Sequence, residues 1–437
     1  MKRIRTLLFG AAAATLAVIA AATPSLAAPN GPPSPTPASF TPYLLTSPVS
    51  QIVQQLVPCG PLMYAVGELS RVGQGTSTYT RGNAFSFNAS TGAMTSWDPQ
   101  ANGRVHSIAF TPDCQTAYLG GSFTTIRGVT ANRVVAVDTT TGAVRTAFAR
   151  NAGDEVQTLQ YTPQGVLAGG LFTSINGVNR GKLASLDPIT GAVTAYANLK
   201  ISGNYTGGTG GATVFNSQLN PAGTKLLIQG IFTSIGGTAR RQVAVLDLGA
   251  SSVTLNGWYS TEFDGECSPQ RFHTRAGAWS PDGSTIYTAS TGYKPPSGPG
   301  SGTSQPRAGL CDAVVAWPVT NGLVNHTWIN YTGCDSLYAV GADANAVYIG
   351  GHERWADNPN GCDAAGPGAV SRPGLAAISA TTGKALSWNP TRSLGIGAQD
   401  IEVTSAGVWV ASDTWSDGLA QRCGGQTRHG GICFLPY

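Results

Sequence analysis

The chain has 437 residues, only 11% of them charged, with 26 Lys and Arg against 22 Asp and Glu and a formal net charge of +4. No basic run or stripe is visible, which argues against nucleic acid as a partner. The 57 glycines suit a turn-rich β protein, and eight Cys without a Cys-x-x-Cys pair point to four disulfides rather than structural zinc.

Residues 1–27 read as an export signal. Lys2, Arg3 and Arg5 form its charged end, Leu7 to Ala22 an apolar run too short to span a bilayer, and Ser25-Leu26-Ala27 the small residues of a cleavage site. No later stretch resembles a membrane span, so the mature protein is expected to be secreted, free of the membrane and monomeric. The Pro-rich residues 28–39 read as a semi-rigid, unfolded spacer, and residues 40–437 as a single domain.

That domain repeats itself. Gly120-Gly121-Ser122-Phe123-Thr124-Thr125-Ile126 recurs as Gly169-Gly170-Leu171-Phe172-Thr173-Ser174-Ile175 and as Gly230-Ile231-Phe232-Thr233-Ser234-Ile235. Each Phe is followed fifteen residues later by an Asp (Asp138, Asp187 and Asp247), and the first two repeats close on Thr141-Gly142 and Thr190-Gly191. Spacings of 49 and 60 residues between the Phe positions, built from short strands and tight turns, are those of propeller blades. Alignment on the turns yields seven units. The expected fold is all-β: a seven-bladed β-propeller of four-stranded antiparallel blades. The last unit has room for three strands, and Phe40–Pro48 is expected to supply the fourth, joining the two termini.

Turns between first and second strands, such as Thr111-Pro112-Asp113 and Ser280-Pro281-Asp282-Gly283, are tight, as are the Thr-Gly bends. All of these fall on one face of the disc. Long connections, among them Ser260–Phe272, Gly292–Leu310, His352–Arg372 and Asp413–Gly430, fall on the other. Cys59 and Cys114 occupy neighbouring turns of the plain face and can pair. Loop positions on the elaborated face pair Cys267 with Cys311, Cys334 with Cys362, and Cys423 with Cys433.

The repeat core resembles the delta-60 type β-propeller repeat of secreted bacterial proteins. The segments Gly350-Gly351-His352, Gly366-Pro367-Gly368-Ala369-Val370-Ser371-Arg372 and Leu386-Ser387-Trp388-Asn389-Pro390 are similar to those of exported actinobacterial propeller proteins. The resemblance implies a fold and no established activity. A weaker similarity to quinoprotein dehydrogenase blades stops at Thr382-Gly383-Lys384, because Trp388 comes one residue late and no vicinal Cys pair exists. No cofactor or metal is expected.

Two clusters carry chemistry. His352-Glu353-Arg354-Trp355-Ala356-Asp357 replaces the regular Ser-Phe-Thr-Thr of the repeat and offers an acid, a base, a cation and a stacking ring. Asp264, Glu266, Arg271, His273 and Arg275 flank Cys267, and Arg275 aligns with His106 and Gln157 on the innermost strand, level with the axial channel. Such groups suit an anionic or polyhydroxylated ligand. Either cluster also reads as structural salt bridging. Trp258, Tyr259, Tyr293, Trp328, Tyr331 and Trp415 read either as sugar platforms or as packing between blades. The sequence therefore supports a secreted binding or scaffold propeller, with a glycan or protein ligand on the loop-rich face of blades 5–7. The alternative is a carbohydrate-active enzyme, a glycoside hydrolase or polysaccharide lyase, which requires two of these carboxyl or imidazole groups to converge.

Overall fold

The computed structural model describes residues 31–45, 47, 49–205, 211–265, 267, 272–293, 309–392, 394, 397–414, 422–424, 426–427 and 429–437. The expected signal, Glu266, Arg271 and Trp415 lie outside these residues. Among the described residues the one helix is a single 3-10 turn, Thr261–Asp264. Among the described residues no helix is long and apolar enough to cross a membrane.

Seven principal antiparallel sheets follow one another along the described chain. Their inner strands are Ile52–Cys59, Val105–Phe110, Val156–Thr162, Thr213–Leu219, His273–Trp279, Leu337–Ala342 and Asp400–Thr404. Each inner strand packs against the next, and the seventh packs against the first. Val53 N–H donates to Ser412 O at 2.8 Å and Leu56 N–H to Asp400 Oδ2 at 2.9 Å, so sheets seven and one are joined directly. Apolar residues fill the spaces between sheets, with Trp97, Trp258, Trp317, Trp409, Phe123 and Phe172 buried there.

The repeated phrases have local physical causes. The Asp138 and Asp187 carboxylates accept hydrogen bonds from the backbone and hydroxyl of Thr141 and Thr190, and Gly142 and Gly191 sit at φ 71° and 68°, which closes each bend. The second Gly of Gly-Gly-x-Phe is required by proximity: a Cβ on Gly121 would lie 2.1 Å from Arg104 O, and one on Gly170 2.1 Å from Glu155 O. The Phe that follows is fully buried, and Thr-x-Ile opens a two-stranded hairpin between the second and third strands of the sheet.

Two expectations change. Only sheets four and five have four regular strands. In sheets one, two, three and six the fourth segment makes a single bridge, at Met94, Val144, Val193 and Ala385 respectively. The amino-terminal closure also differs. Tyr43–Leu44 pairs with Arg71–Gln74, a hairpin appended to sheet one, rather than completing sheet seven. The last strand, Ile432–Pro436, is instead covered by part of the presumed spacer: Ser34 N–H donates to Pro436 O at 2.7 Å and Ala38 N–H to Phe434 O at 2.9 Å. The alternation Pro33-Ser34-Pro35-Thr36-Pro37-Ala38 explains this, because proline holds the chain extended while leaving every second residue a donor, as an edge strand allows.

Four disulfides join Cys59–Cys114, Cys267–Cys311, Cys334–Cys362 and Cys423–Cys433, the pairs expected from the loop positions.

Candidate functional site

Six inner strands slip register at the same place. The breaks fall between Val53 and Gln55, Val105 and Ser107, Val156 and Thr158, Val214 and Asn216, Thr274 and Ala276, and Leu337 and Ala339. A bulge re-aims the extra side chain. The residues released in this way are Gln54, His106, Gln157, Phe215, Arg275 and Tyr338. Together with Gln399, just ahead of the seventh inner strand, they line a cavity of about 350 Å³ at the loop-rich end of the axis, with Arg104, Thr213 and Asn216 also in its wall.

This mouth is charged on both sides of the axis, but only one side is neutralised. His106 Nε2 lies 3.2 Å from Glu155, and Gln157 donates to the same carboxylate. The contact with His106, first among several influences, holds the Glu155 carboxyl below its ordinary range. Arg104 donates to Gln54 Oε1 and lies 3.9 Å from Glu68. Across the mouth, the Arg275 guanidinium sits 5.9 Å from the Phe215 ring and 5.5 Å from the Tyr338 ring, with no carboxylate partner among the described residues. His352 also meets the Tyr338 ring edge-on, with centroids 5.4 Å apart, and burial lowers its affinity for a proton. Two clusters far apart in sequence therefore meet at Tyr338, through Arg275 and His352.

Most of the other candidates do not reach the mouth. Glu353 is fully buried, and neither carboxylate oxygen has a hydrogen-bond partner; burial pushes its carboxyl well above the usual range. Arg354 is held by Asp335 at 2.7 Å and Asp363 at 2.9 Å, and lies 4.4 Å over the Trp355 ring. Asp357 accepts from Asn330 Nδ2 at 2.6 Å and from the Ala385 amide at 3.2 Å, fixing sheet five to sheet six. His273 Nδ1 is hydrogen-bonded to the Tyr205 hydroxyl. Asp264 is an exposed residue at the end of the 3-10 turn capped by Ser260, while its neighbour Glu262 pairs with His326 at 2.6 Å. Trp258 and Trp328 are packing residues whose indole N–H groups donate to Pro318 O and Ala380 O.

Sequence reasoning missed Gln54, Phe215 and Tyr338, although Phe215 stands six residues before Pro221 as Arg275 stands before Pro281. It also missed the buried pair Arg392–Asp413, 2.6 Å apart, and the inner-strand carboxyls Asp400 and Glu402.

No protein-family model matches the sequence, and no curated protein matches it. Among solved structures, that of U3-55K is similar over 92% of this chain and 100% of that one, at 8% identity and a TM-score of 0.50. The WD40 β-propeller domain of Doa1 aligns over 90% and 94% of the two chains at 11% identity, with a TM-score of 0.46. The WD40 repeats of RRP9 align over 92% and 98% at 8% identity, with a TM-score of 0.47. The chain has a β-propeller fold. At these identities the likeness is one of architecture alone.

Proposed function

We propose that the protein is a secreted, seven-bladed binding propeller whose ligand is an acidic glycan, seated in the axial mouth and extending over the loops of sheets five to seven. One observation carries the reading. The bulges of six inner strands aim side chains at one cavity, and Arg275 stands there between two aromatic rings without a carboxylate partner. A uronate carboxylate supplies the missing charge, Phe215 and Tyr338 offer sugar-facing rings, and Gln54, Gln157, Gln399 and Asn216 offer donors and acceptors for hydroxyls. The four disulfides suit an extracellular compartment. Binding is preferred to the enzyme reading because Glu353 is fully buried and Asp357 is engaged by Asn330 and the Ala385 amide.

Titration of the mature protein with oligogalacturonides and with matched neutral oligosaccharides tests the proposal. The acidic series is expected to bind more tightly, and Arg275→Ala to weaken it about tenfold or more, as the loss of a charge-assisted hydrogen bond implies. Equal binding of both series, or an Arg275→Ala protein that binds like wild type, overturns it.

A further inference from the structure

At the other end of the axis the inner strands finish around a second, larger cavity of about 700 Å³. All seven strands contribute to its wall, and its size is that of a small-molecule site. Its charge is opposite to that of the loop-rich mouth. Asp400 and Glu402 line it, together with Gln55, Gln160 and Gln218, and no Lys, Arg or His does. The two carboxyls are two residues apart on one strand and so stand on the same side of it.

These groups are unequally partnered. Asp400 Oδ2 accepts the Leu56 amide at 2.9 Å, while the Glu402 side chain has no hydrogen bond or ion pair among the described residues. Gln160 donates to Ser217 O at 2.8 Å, which leaves its carbonyl oxygen as a further acceptor. Two enclosed carboxyls without a counter-charge are an unfavourable arrangement that a cation relieves.

We propose that this cavity binds a small organic cation, an amine or guanidinium compound, held by Asp400 and Glu402. A metal ion fits less well, because no group of three or more His, Cys, Asp or Glu among the described residues is placed to hold one. The volume also far exceeds what an ion needs. The site is independent of the ligand in the loop-rich mouth.

Titration supplies the signature. Enclosure pushes Asp400 up to about 6 and Glu402 up to about 8, the latter raised further by the Asp400 charge. Tyr161 is the only other titratable side chain lining the cavity, Cys59 being in a disulfide. At pH 7 a bound ammonium therefore stabilises the charged form of Glu402 and expels its proton.

Calorimetric titration of the mature protein with putrescine, in two buffers of different ionisation enthalpy, reads both affinity and proton release. Saturable binding with proton release at pH 7 is expected, with affinity falling about tenfold or more from pH 8.5 to pH 5 as the carboxyls protonate. Glu402→Gln should weaken binding by a similar factor and remove the proton release. Calcium chloride and sodium succinate serve as parallel arms, both expected to give no saturable heat. If Glu402→Gln does not fold by circular dichroism, the wild-type pH series and proton count decide alone. The proposal is overturned if putrescine fails to bind at millimolar concentration, if binding is indifferent to pH, if the folded variant binds like wild type, or if calcium displaces putrescine.

Discussion

Glu353 offers a test in which burial is the largest influence on a carboxyl. Its carboxyl is 0% exposed and neither oxygen has a hydrogen-bond partner among the described residues. The charged groups acting on it are Arg392, which is paired with Asp413, and Asp335. His352, its neighbour in sequence, is disinclined to carry a proton. The ordinary carboxyl value in the unfolded chain is 4.5, and the folded value lies well above it. Between the two, the folded protein binds a proton that the unfolded chain has released. The stabilisation is therefore complete below pH 4.5 and lost as pH rises toward the folded value, at about 1.4 kcal/mol per pH unit. Glu353→Gln keeps the shape and cannot ionise, so it lacks this slope. From pH 4.5 to pH 6.5 the variant should gain on the order of 2 kcal/mol relative to wild type, because the unfolded carboxyl is half ionised at the first pH and almost fully ionised at the second. The constant cost or gain of an amide at this position cancels in the comparison, as do Asp400 and Glu402, which titrate in both proteins. Urea unfolding with disulfides intact, at pH 4.5, 5.5 and 6.5, measures it. A difference that stays within about 0.5 kcal/mol across that range, below the usual additivity error, refutes the claim that this carboxyl is held neutral by burial.

Three further outcomes follow from the fold. Ala38→Pro removes the amide that donates to Phe434 O at 2.9 Å, and should destabilise the protein by about 1–2 kcal/mol in thermal or urea unfolding; an unchanged midpoint would mean that the Pro-rich strand does not close the last sheet. Phe172→Ala empties a fully buried repeat position between sheets and should cost about 3–5 kcal/mol, read from the same unfolding curves. Mild reduction should leave the far-ultraviolet dichroism intact while the loops held by Cys267–Cys311 and Cys334–Cys362 become protease-sensitive, because the sheets rest on apolar burial rather than on these links. Loss of the β signal on reduction would contradict that division.

The features legible in the sequence are those whose causes are local or periodic. Asp-x-x-Thr-Gly closes its own bend with its own side chains, and the second Gly of the Gly-Gly-x-Phe repeat is demanded by a strand that the repeat itself supplies, so both could be read in one dimension. The disulfide pairs followed because turn positions place each Cys on one face. Arg275 was placed near the axis by counting back from a turn, which works wherever strand length is constant.

The rest depends on the closed ring. Glu353 looks as reactive as its neighbours until sheets six and seven bury it, and Arg354 and Asp357 spend their charge on partners in other segments. The Pro-x-Pro run reads as a spacer unless the unpaired edge at residues 432–436 is in view, almost the whole chain away. Leu56 and Asp400, 344 residues apart, meet only because the last inner strand returns to the first. The loop-rich mouth exists for the same reason: a register slip of one residue re-aims each bulge side chain, and only when the inner strands surround one axis do those side chains share a cavity.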